Sequence, residues 1–491
     1  MDDVATLGDF HARLTAALAE RPDAPFLIDR ARTWSFRDID GLSGRIAGAL
    51  AAAGVSPGDR IVAQVEKSPE NVALYLAALR SGAVYTPLNT AYTDEERAFF
   101  LNDADPALYV GDPARAAPAD FAFLTLSRDG TGSLIDAARM VATLPPVARR
   151  GDDLAAILYT SGTTGRSKGA MLTNDNLRTN AEALVAAWDM SDSDTLLHAL
   201  PIFHIHGLFV ALNAAMLAGT RVLFHRAFDP AAVARDLAQA TVMMGVPTFY
   251  ARLLREPTFD AVAARAVRIF ISGSAPLTSE TFTAFEERTG QRILERYGMS
   301  EAGIITSNPL TGDRVAGTVG FPLPGVRIRI ADGDATGEVE VAGDGVFAGY
   351  WRNGARTAEA FTDDGWFRTG DIGAIDDSGR LSLVGRAKDL IIVGGYNVYA
   401  KEIEEILDAA AAIAESAVVG APHADMGEGV VAFLVGAGAE RPDDDELAAI
   451  IAPLAKFKRP RRFIWLDELP RNAMGKVGKE ILRERCKDAF R

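Results

Sequence analysis

Apolar and polar positions along this chain follow two rhythms, and the switches between them outline an α/β protein. Short apolar runs fit buried strands at 83–85, 154–158 and 269–271. Helical stretches lie between them. The clearest opens at Ser68-Pro69-Glu70, where Ser68 suits the N-cap and Pro69 the first turn. Val72, Leu74, Leu76 and Leu79 follow, and Gly82 ends the helix. From about residue 326 to 346 the pattern turns short and alternating, which predicts an antiparallel β subdomain. After Gly385-Arg386-Ala387-Lys388-Asp389 the chain reads as strand (390–393), Gly394-Gly395 turn, amphipathic helix (400–411) and strand (416–419). A domain boundary is therefore expected there, dividing the chain into 1–387 and a compact 388–491. The most apolar window, 207–219, is too short to span a bilayer and contains Asn213.

Bulk properties narrow the classes. A chain of 491 residues is too long for one ordinary core. Its net charge of −15 argues against a general nucleic-acid role, so anionic substrates would need locally concentrated positive charge. The single cysteine, Cys486, excludes an internal disulfide, and no Cys/His cluster has zinc-ligand spacing. Met1-Asp2-Asp3 is acidic where a secretory signal would be basic, so a cytoplasmic enzyme without membrane association is expected. Residues 456–462 hold a basic run that fits either a solvated surface or a phosphate contact.

Chemistry concentrates in Tyr159-Thr160-Ser161-Gly162-Thr163-Thr164-Gly165-Arg166-Ser167-Lys168-Gly169. Glycines let backbone N–H groups wrap phosphate oxygens, hydroxyls add donors, and Lys168 adds a point charge. The string ends Ser167-Lys168-Gly169, so it is not the P-loop of nucleotide triphosphatases. It resembles the phosphate-binding loop of the acyl-adenylate-forming superfamily, which includes acyl-CoA synthetases, luciferases and peptide-synthetase adenylation domains. Further motifs carry that resemblance in order: Trp34-Ser35-Phe36, Gly54-Val55-Ser56-Pro57-Gly58-Asp59-Arg60, Tyr297-Gly298-Met299-Ser300-Glu301, Phe367-Arg368-Thr369-Gly370-Asp371, the 385–389 string, and Pro470-Arg471-Asn472-Ala473-Met474-Gly475-Lys476.

The resemblance implies a large multi-sheet N-terminal adenylate-forming domain and a small mobile α+β C-terminal domain, with the ligand cleft where they meet. It also implies a reaction in which a carboxylate attacks the α-phosphorus of ATP, pyrophosphate leaves, and coenzyme A takes the acyl group. No protein nucleophile is required, only orientation and charge stabilisation. On this basis Thr160, Ser161, Gly162, Thr163, Thr164, Gly165 and Lys168 hold the β- and γ-phosphates. Ser300, where the family usually has threonine, contacts phosphate, and Glu301 binds Mg²⁺. Ser272, Gly273, Ala275, Pro276 and Tyr297 line the adenine pocket; Asp371 accepts the ribose hydroxyls and Arg386 steadies ribose or phosphate. Lys476 stabilises the charge that builds during adenylation. Lys388 is the hinge, and Gly394-Gly395 passes the pantetheine arm.

Two arginines bear on the acid. Arg296 precedes Tyr297, and Arg252 closes Gly245-Val246-Pro247-Thr248-Phe249-Tyr250-Ala251-Arg252. A guanidinium beside an acyl pocket suits a substrate with a second carboxylate. Ser274 and His206 add hydrogen-bonding capacity, and Met299 fills depth that a long acyl chain would need. This set resembles the malonyl-CoA and methylmalonyl-CoA synthetases. The alternatives are surface ion pairs for both arginines, with Glu256 near Arg252, and then a short-chain monocarboxylate–CoA ligase of acetate or propionate type. A carrier-loading adenylation enzyme is a further alternative, as is a degenerate binding protein, against which Lys168, Glu301, Asp371 and Lys476 all argue.

Overall fold

The computed structural model describes residues 10–115, 117–160, 167–438, 441–471 and 477–490. The chain divides into two compact units, one of Met1–Ile328 with Val341–Phe367, the other of Arg329–Glu340 with Arg368–Arg491.

Among the described residues the first unit is built on two large sheets. One runs, in spatial order, Gly349–Tyr350, Lys168–Thr173, Leu154–Thr160, Val84–Pro87, Arg60–Gln64, Leu108–Gly111 and Phe123–Thr125. Its parallel strands are buried on both faces, which is why they read as unbroken apolar runs. The helix Pro69–Ser81 forms as its signals predict: Ser68 Oγ accepts from Asn71 N, and Gly82 ends it in the left-handed conformation with φ 70°. Leu154–Thr160 and Lys168–Thr173 form an antiparallel hairpin in which Thr160 faces Lys168. The central part of the phosphate-loop string, including Ser161, Gly162, Thr163, Thr164 and Gly165, lies outside the described residues.

The second sheet places Val242–Gly245, Ile269–Ser272 and Leu294–Met299 side by side in parallel, so their C-terminal ends emerge together. A packed aromatic cluster supports them. Tyr250 meets Phe285 edge-on at 5.5 Å, and Phe285 meets Phe270 at 5.0 Å. The Tyr250 hydroxyl donates to the Ile271 carbonyl at 2.6 Å, which ties the helix Pro247–Leu254 to the strand leading into Ser272. Such edge-to-face contacts contribute about 0.5–1.5 kcal/mol each beyond area burial.

In the second unit the alternating 326–346 segment supplies two strands, Arg327–Ile330 and Thr336–Ala342. Phe367–Ile375 and Leu381–Arg386 complete that sheet. Thr369 Oγ1 donates to the Val339 carbonyl at 2.7 Å, so the segment carrying Asp371 packs with 329–340 and the C-terminal residues. The predicted strand–Gly-Gly–helix–strand order is present as Leu390–Val393, Ala400–Asp408 and Ile413–His423, and a further strand, Tyr396–Tyr399, follows the Gly-Gly turn. Cys486 packs in an apolar cluster with Leu469 and Leu482, and burial pushes its thiol up, as suits an inert core cysteine.

Candidate active site

Three clusters bring sequence-predicted residues together. The first centres on Glu301, which is 6% exposed. It sits in the turn between Leu294–Met299 and Gly303–Ser307. Asn180 clamps that turn, its Nδ2 donating to the Ile304 carbonyl at 2.9 Å and its Oδ1 accepting from Ile304 N at 3.2 Å. Glu301 Oε1 accepts from Thr160 Oγ1 at 3.2 Å and from the Tyr350 hydroxyl at 3.1 Å. Lys168 Nζ lies 4.9 Å from the centre of the Tyr350 ring. Burial and the Glu301 charge both raise the Tyr350 phenol, so Tyr350 acts here as a neutral donor. Among the described residues no cation pairs with Glu301 at ion-pair distance, leaving a carboxylate flanked by neutral oxygens. That donor set fits a hard, oxygen-seeking divalent cation. No group of three or more His, Cys, Asp or Glu side chains forms a metal cage among the described residues, so substrate phosphate oxygens would supply the remaining ligands.

The second cluster centres on Arg296. Arg296 is 4% exposed, and its Nε and Nη2 find no hydrogen-bond partner among the described groups. Burial pushes its guanidinium down to about 9, which still leaves it cationic at neutral pH. It lies against Gly273: a β-carbon on that glycine would come within 2.4 Å of Arg296 Cζ. His206 and Ser274 meet at 3.2 Å between Nδ1 and Oγ, with Ser274 held at φ 72°, an uncommon backbone for serine. Burial first, then Arg296, His204 and His198, lower the His206 imidazole well below its usual range, so it is neutral. His206 Nε2 and Ser272 Oγ are also buried without a partner. Buried polar groups are normally satisfied. A buried cation with unpaired donors, as at Arg296, suits an anionic ligand group. Met299 and Ser300 are half-buried, and Tyr297 is buried.

Arg252 does not join this cluster through any contact among the described residues. It is exposed on the helix Pro247–Leu254, its guanidinium 5.0 Å from the Phe228 ring, which in turn stacks on Phe249 at 3.8 Å. The expected pair of arginines is thus unequal, with Arg296 carrying the buried charge.

The third cluster lies in the second unit. Asp371 and Arg386 are cross-strand partners, with Arg386 Nε 2.9 Å from Asp371 Oδ1. Asp371 is buried while Arg386 is half-exposed. Lys388 Nζ is 3.9 Å from Glu480, and Arg483 donates to the Lys388 carbonyl at 3.2 Å. Gly394 and Gly395 take φ 57° and 84° at the tip of the hairpin, where only glycine adopts both without strain. Lys476 lies outside the described residues. Its flanks are tied down: Arg471 bridges to Val477, Arg471 pairs with Glu415, and Lys479 pairs with Glu404 at 2.7 Å.

Tyr350 is a site residue that sequence reasoning missed. Its strand, Gly349–Tyr350, has two residues and pairs with Lys168–Thr173 across a long sequence separation, which no local periodicity reveals.

Residues 14–351 match the AMP-binding enzyme family, and residues 402–476 match the AMP-binding enzyme C-terminal domain. The chain belongs to the AMP-binding enzyme family. Among solved structures it is similar to ATP-bound MatB from Rhodopseudomonas palustris, at 47% identity and TM-score 0.95, covering 99% of this chain and 100% of that one. A malonyl-CoA ligase in a ternary product complex with methylmalonyl-CoA and AMP aligns at 35% identity and TM-score 0.69, covering 93% of this chain and 100% of that one. The malonate–CoA ligase of Arabidopsis thaliana is 35% identical over 473 residues, covering 87% of this chain and 78% of the relative. No helix among the described residues is long and apolar enough to cross a membrane.

A prediction follows from the contact at Gly273. In Gly273→Ala the new methyl displaces the Arg296 guanidinium, the flexible end of the colliding pair. A misplacement of about 1 Å costs up to about a hundredfold in rate. Steady-state kinetics of the variant should therefore show kcat/KM for malonate falling more steeply than that for propionate.

Proposed function

We propose that this protein is an ATP-dependent acid–thiol ligase that forms malonyl-CoA, and methylmalonyl-CoA, from the free dicarboxylate, releasing AMP and pyrophosphate. The observation that carries the acid assignment is the buried Arg296 guanidinium, whose Nε and Nη2 are unpaired and which has no counter-charge among the described residues. A second substrate carboxylate would pair with it. A methyl group, as on acetate or propionate, would leave it desolvated and unpaired, the more costly arrangement. The relatives named for malonate and methylmalonate support the same assignment.

In this reading one carboxylate oxygen of the acid attacks the α-phosphorus of ATP, and the bond from that phosphorus to the bridging oxygen breaks, releasing pyrophosphate. The thiolate sulfur of coenzyme A then attacks the acyl carbon and AMP departs. Thr160, Lys168 and the 161–165 loop hold the β- and γ-phosphates, and Ser300 contacts phosphate. Glu301, whose carboxylate accepts from Thr160 and Tyr350, would hold Mg²⁺. A bound Mg²⁺ would neutralise phosphate charge as the P–O bond breaks. Lys476 adds a cation at the α-phosphate during adenylation. Asp371 accepts from ribose while Arg386 orients it. Lys388 is the pivot, and Gly394-Gly395 lets the pantetheine arm run close to backbone.

The test is product identification. Protein incubated with ATP, Mg²⁺, coenzyme A and malonate should yield malonyl-CoA and AMP in equal amounts by liquid chromatography–mass spectrometry. Formation of acetyl- or propionyl-CoA in preference to malonyl-CoA across an acid panel would replace this reading with the monocarboxylate one.

A further inference from the structure

Lys67 is a buried lysine that the chemistry above does not use, and burial lowers its pKa well below the ordinary lysine value against the opposing charge of Asp29. It follows the strand Arg60–Gln64, precedes the N-cap Ser68, and is 6% exposed. Its Nζ reaches three acceptors: His198 Nδ1 at 2.6 Å, the His198 carbonyl at 2.9 Å and the His225 carbonyl at 2.6 Å. It also lies 4.6 Å from the centre of the Phe224 ring. Lys67 thus reaches from one large sheet to the C-terminal ends of Thr195–His198 and Arg221–Phe224 in the other.

Hydrogen-bond accounting fixes the protons. His198 is 1% exposed, and its Nε2 lies 2.8 Å from the Gly207 carbonyl. A carbonyl only accepts, so Nε2 carries the proton and Nδ1 accepts from Lys67. Three acceptors around Nζ then take all three ammonium protons. Burial and the Lys67 charge keep the His198 ring neutral, consistent with that tautomer.

The Gly207 carbonyl belongs to the π-helical turn His206–Leu212, a distortion that recurs at functional sites. Gly207 is backed against Pro201, whose carbonyl oxygen would lie 2.0 Å from any β-carbon added there. The turn is therefore held from one side by close packing and from another by His198. His206, the first residue of that turn, meets Ser274 through its Nδ1 at 3.2 Å and feels the Arg296 charge.

We propose that Lys67 and His198 are positioning residues, a buried strut that fixes the His206–Gly207 turn and so sets discrimination for the distal anionic group of the acid. The proposal rests on the reading of the Arg296–His206 cluster as the site of a second carboxylate. Its expression should be a change in acid binding, with nucleotide handling spared.

Lys67→Met keeps most of the stem volume and removes all three donors. Its KM for malonate should rise about tenfold, the scale of losing a charge-assisted hydrogen bond. The malonate-over-propionate ratio of kcat/KM should fall by a similar factor, while KM for ATP stays within about twofold, well under one hydrogen bond's worth. His198→Phe, which keeps ring volume and leaves Lys67 both carbonyls, carries the same expectation if Lys67→Met does not fold. Parallel loss for malonate, propionate and ATP, or an unchanged malonate KM, would overturn the strut and leave only a structural role. Failure of the underlying reading looks different: wild-type protein would itself prefer propionate. In that case discrimination for a distal anionic group, and the strut's role in it, is overturned with the reading.

Discussion

Arg296→Met should lower kcat/KM for malonate by at least about a hundredfold and leave the ligand-free protein no less stable. Removing one partner of a buried charge pair costs about 3–5 kcal/mol, which is two to three and a half decades in rate. Propionate, which offers Arg296 no charge, should lose far less. The stability half of the expectation follows from proton linkage. Folding lowers the Arg296 pKa from the ordinary arginine value to about 9. The unfolded chain then binds more protons between those values, so this residue's contribution to stability rises with pH across that window. At neutral pH both states are protonated and the folded state bears the full penalty of an unpaired buried cation. Methionine removes that penalty, so calorimetry should show an equal or higher Tm. Malonate should raise the wild-type Tm, with about 2.7 kcal/mol of stabilisation at a hundredfold excess over Kd, and should leave the Tm of Arg296→Met unmoved.

Lys476→Ala should remove adenylation while sparing the second half-reaction. A transition-state charge contact of this kind contributes about 2.7–4 kcal/mol, or two to three decades. In single-turnover assays acyl-adenylate formation from ATP and malonate should fall by that factor. Conversion of supplied malonyl-adenylate and coenzyme A to thioester should stay near wild type, because this lysine is proposed to act at the α-phosphate alone. Equal loss in both half-reactions would contradict that division of labour.

Much of the scaffold was legible because its signals are local. Ser68, Pro69 and Gly82 bracket the first-unit helix as their chemistry predicts. The strand 390–393 and its Gly394-Gly395 turn were legible, whereas the returning strand 396–399, which holds Asn397 and no apolar run, was not. The 326–346 segment was legible only in part. Alternation revealed its two strands, but their partners at 367–386 lie across a break in the pattern. Within the site, Asp371 and Arg386 stood out only by motif, and their cross-strand pairing turns two separate candidates into one unit. The two arginines look alike in sequence and differ in the fold. Arg296 sits inside a strand between buried neighbours, whereas Arg252 occupies the outer side of a short helix. Lys67, His198 and Tyr350 escaped notice for a common reason. Each acquires its role from tertiary contacts, such as Lys67 with His198 and Tyr350 with Lys168 and Glu301, where neither periodicity nor capping carries information.

The central claim, that a buried guanidinium selects an acid with a second carboxylate, is tested most directly by one ratio. That ratio is kcat/KM for malonate over kcat/KM for propionate, measured in wild type and in Arg296→Met under identical ATP, Mg²⁺ and coenzyme A. The account predicts a wild-type ratio well above unity that falls by about two decades in the variant, the size of a broken buried charge pair. A wild-type ratio at or below unity, or one that the substitution leaves unchanged, would contradict it.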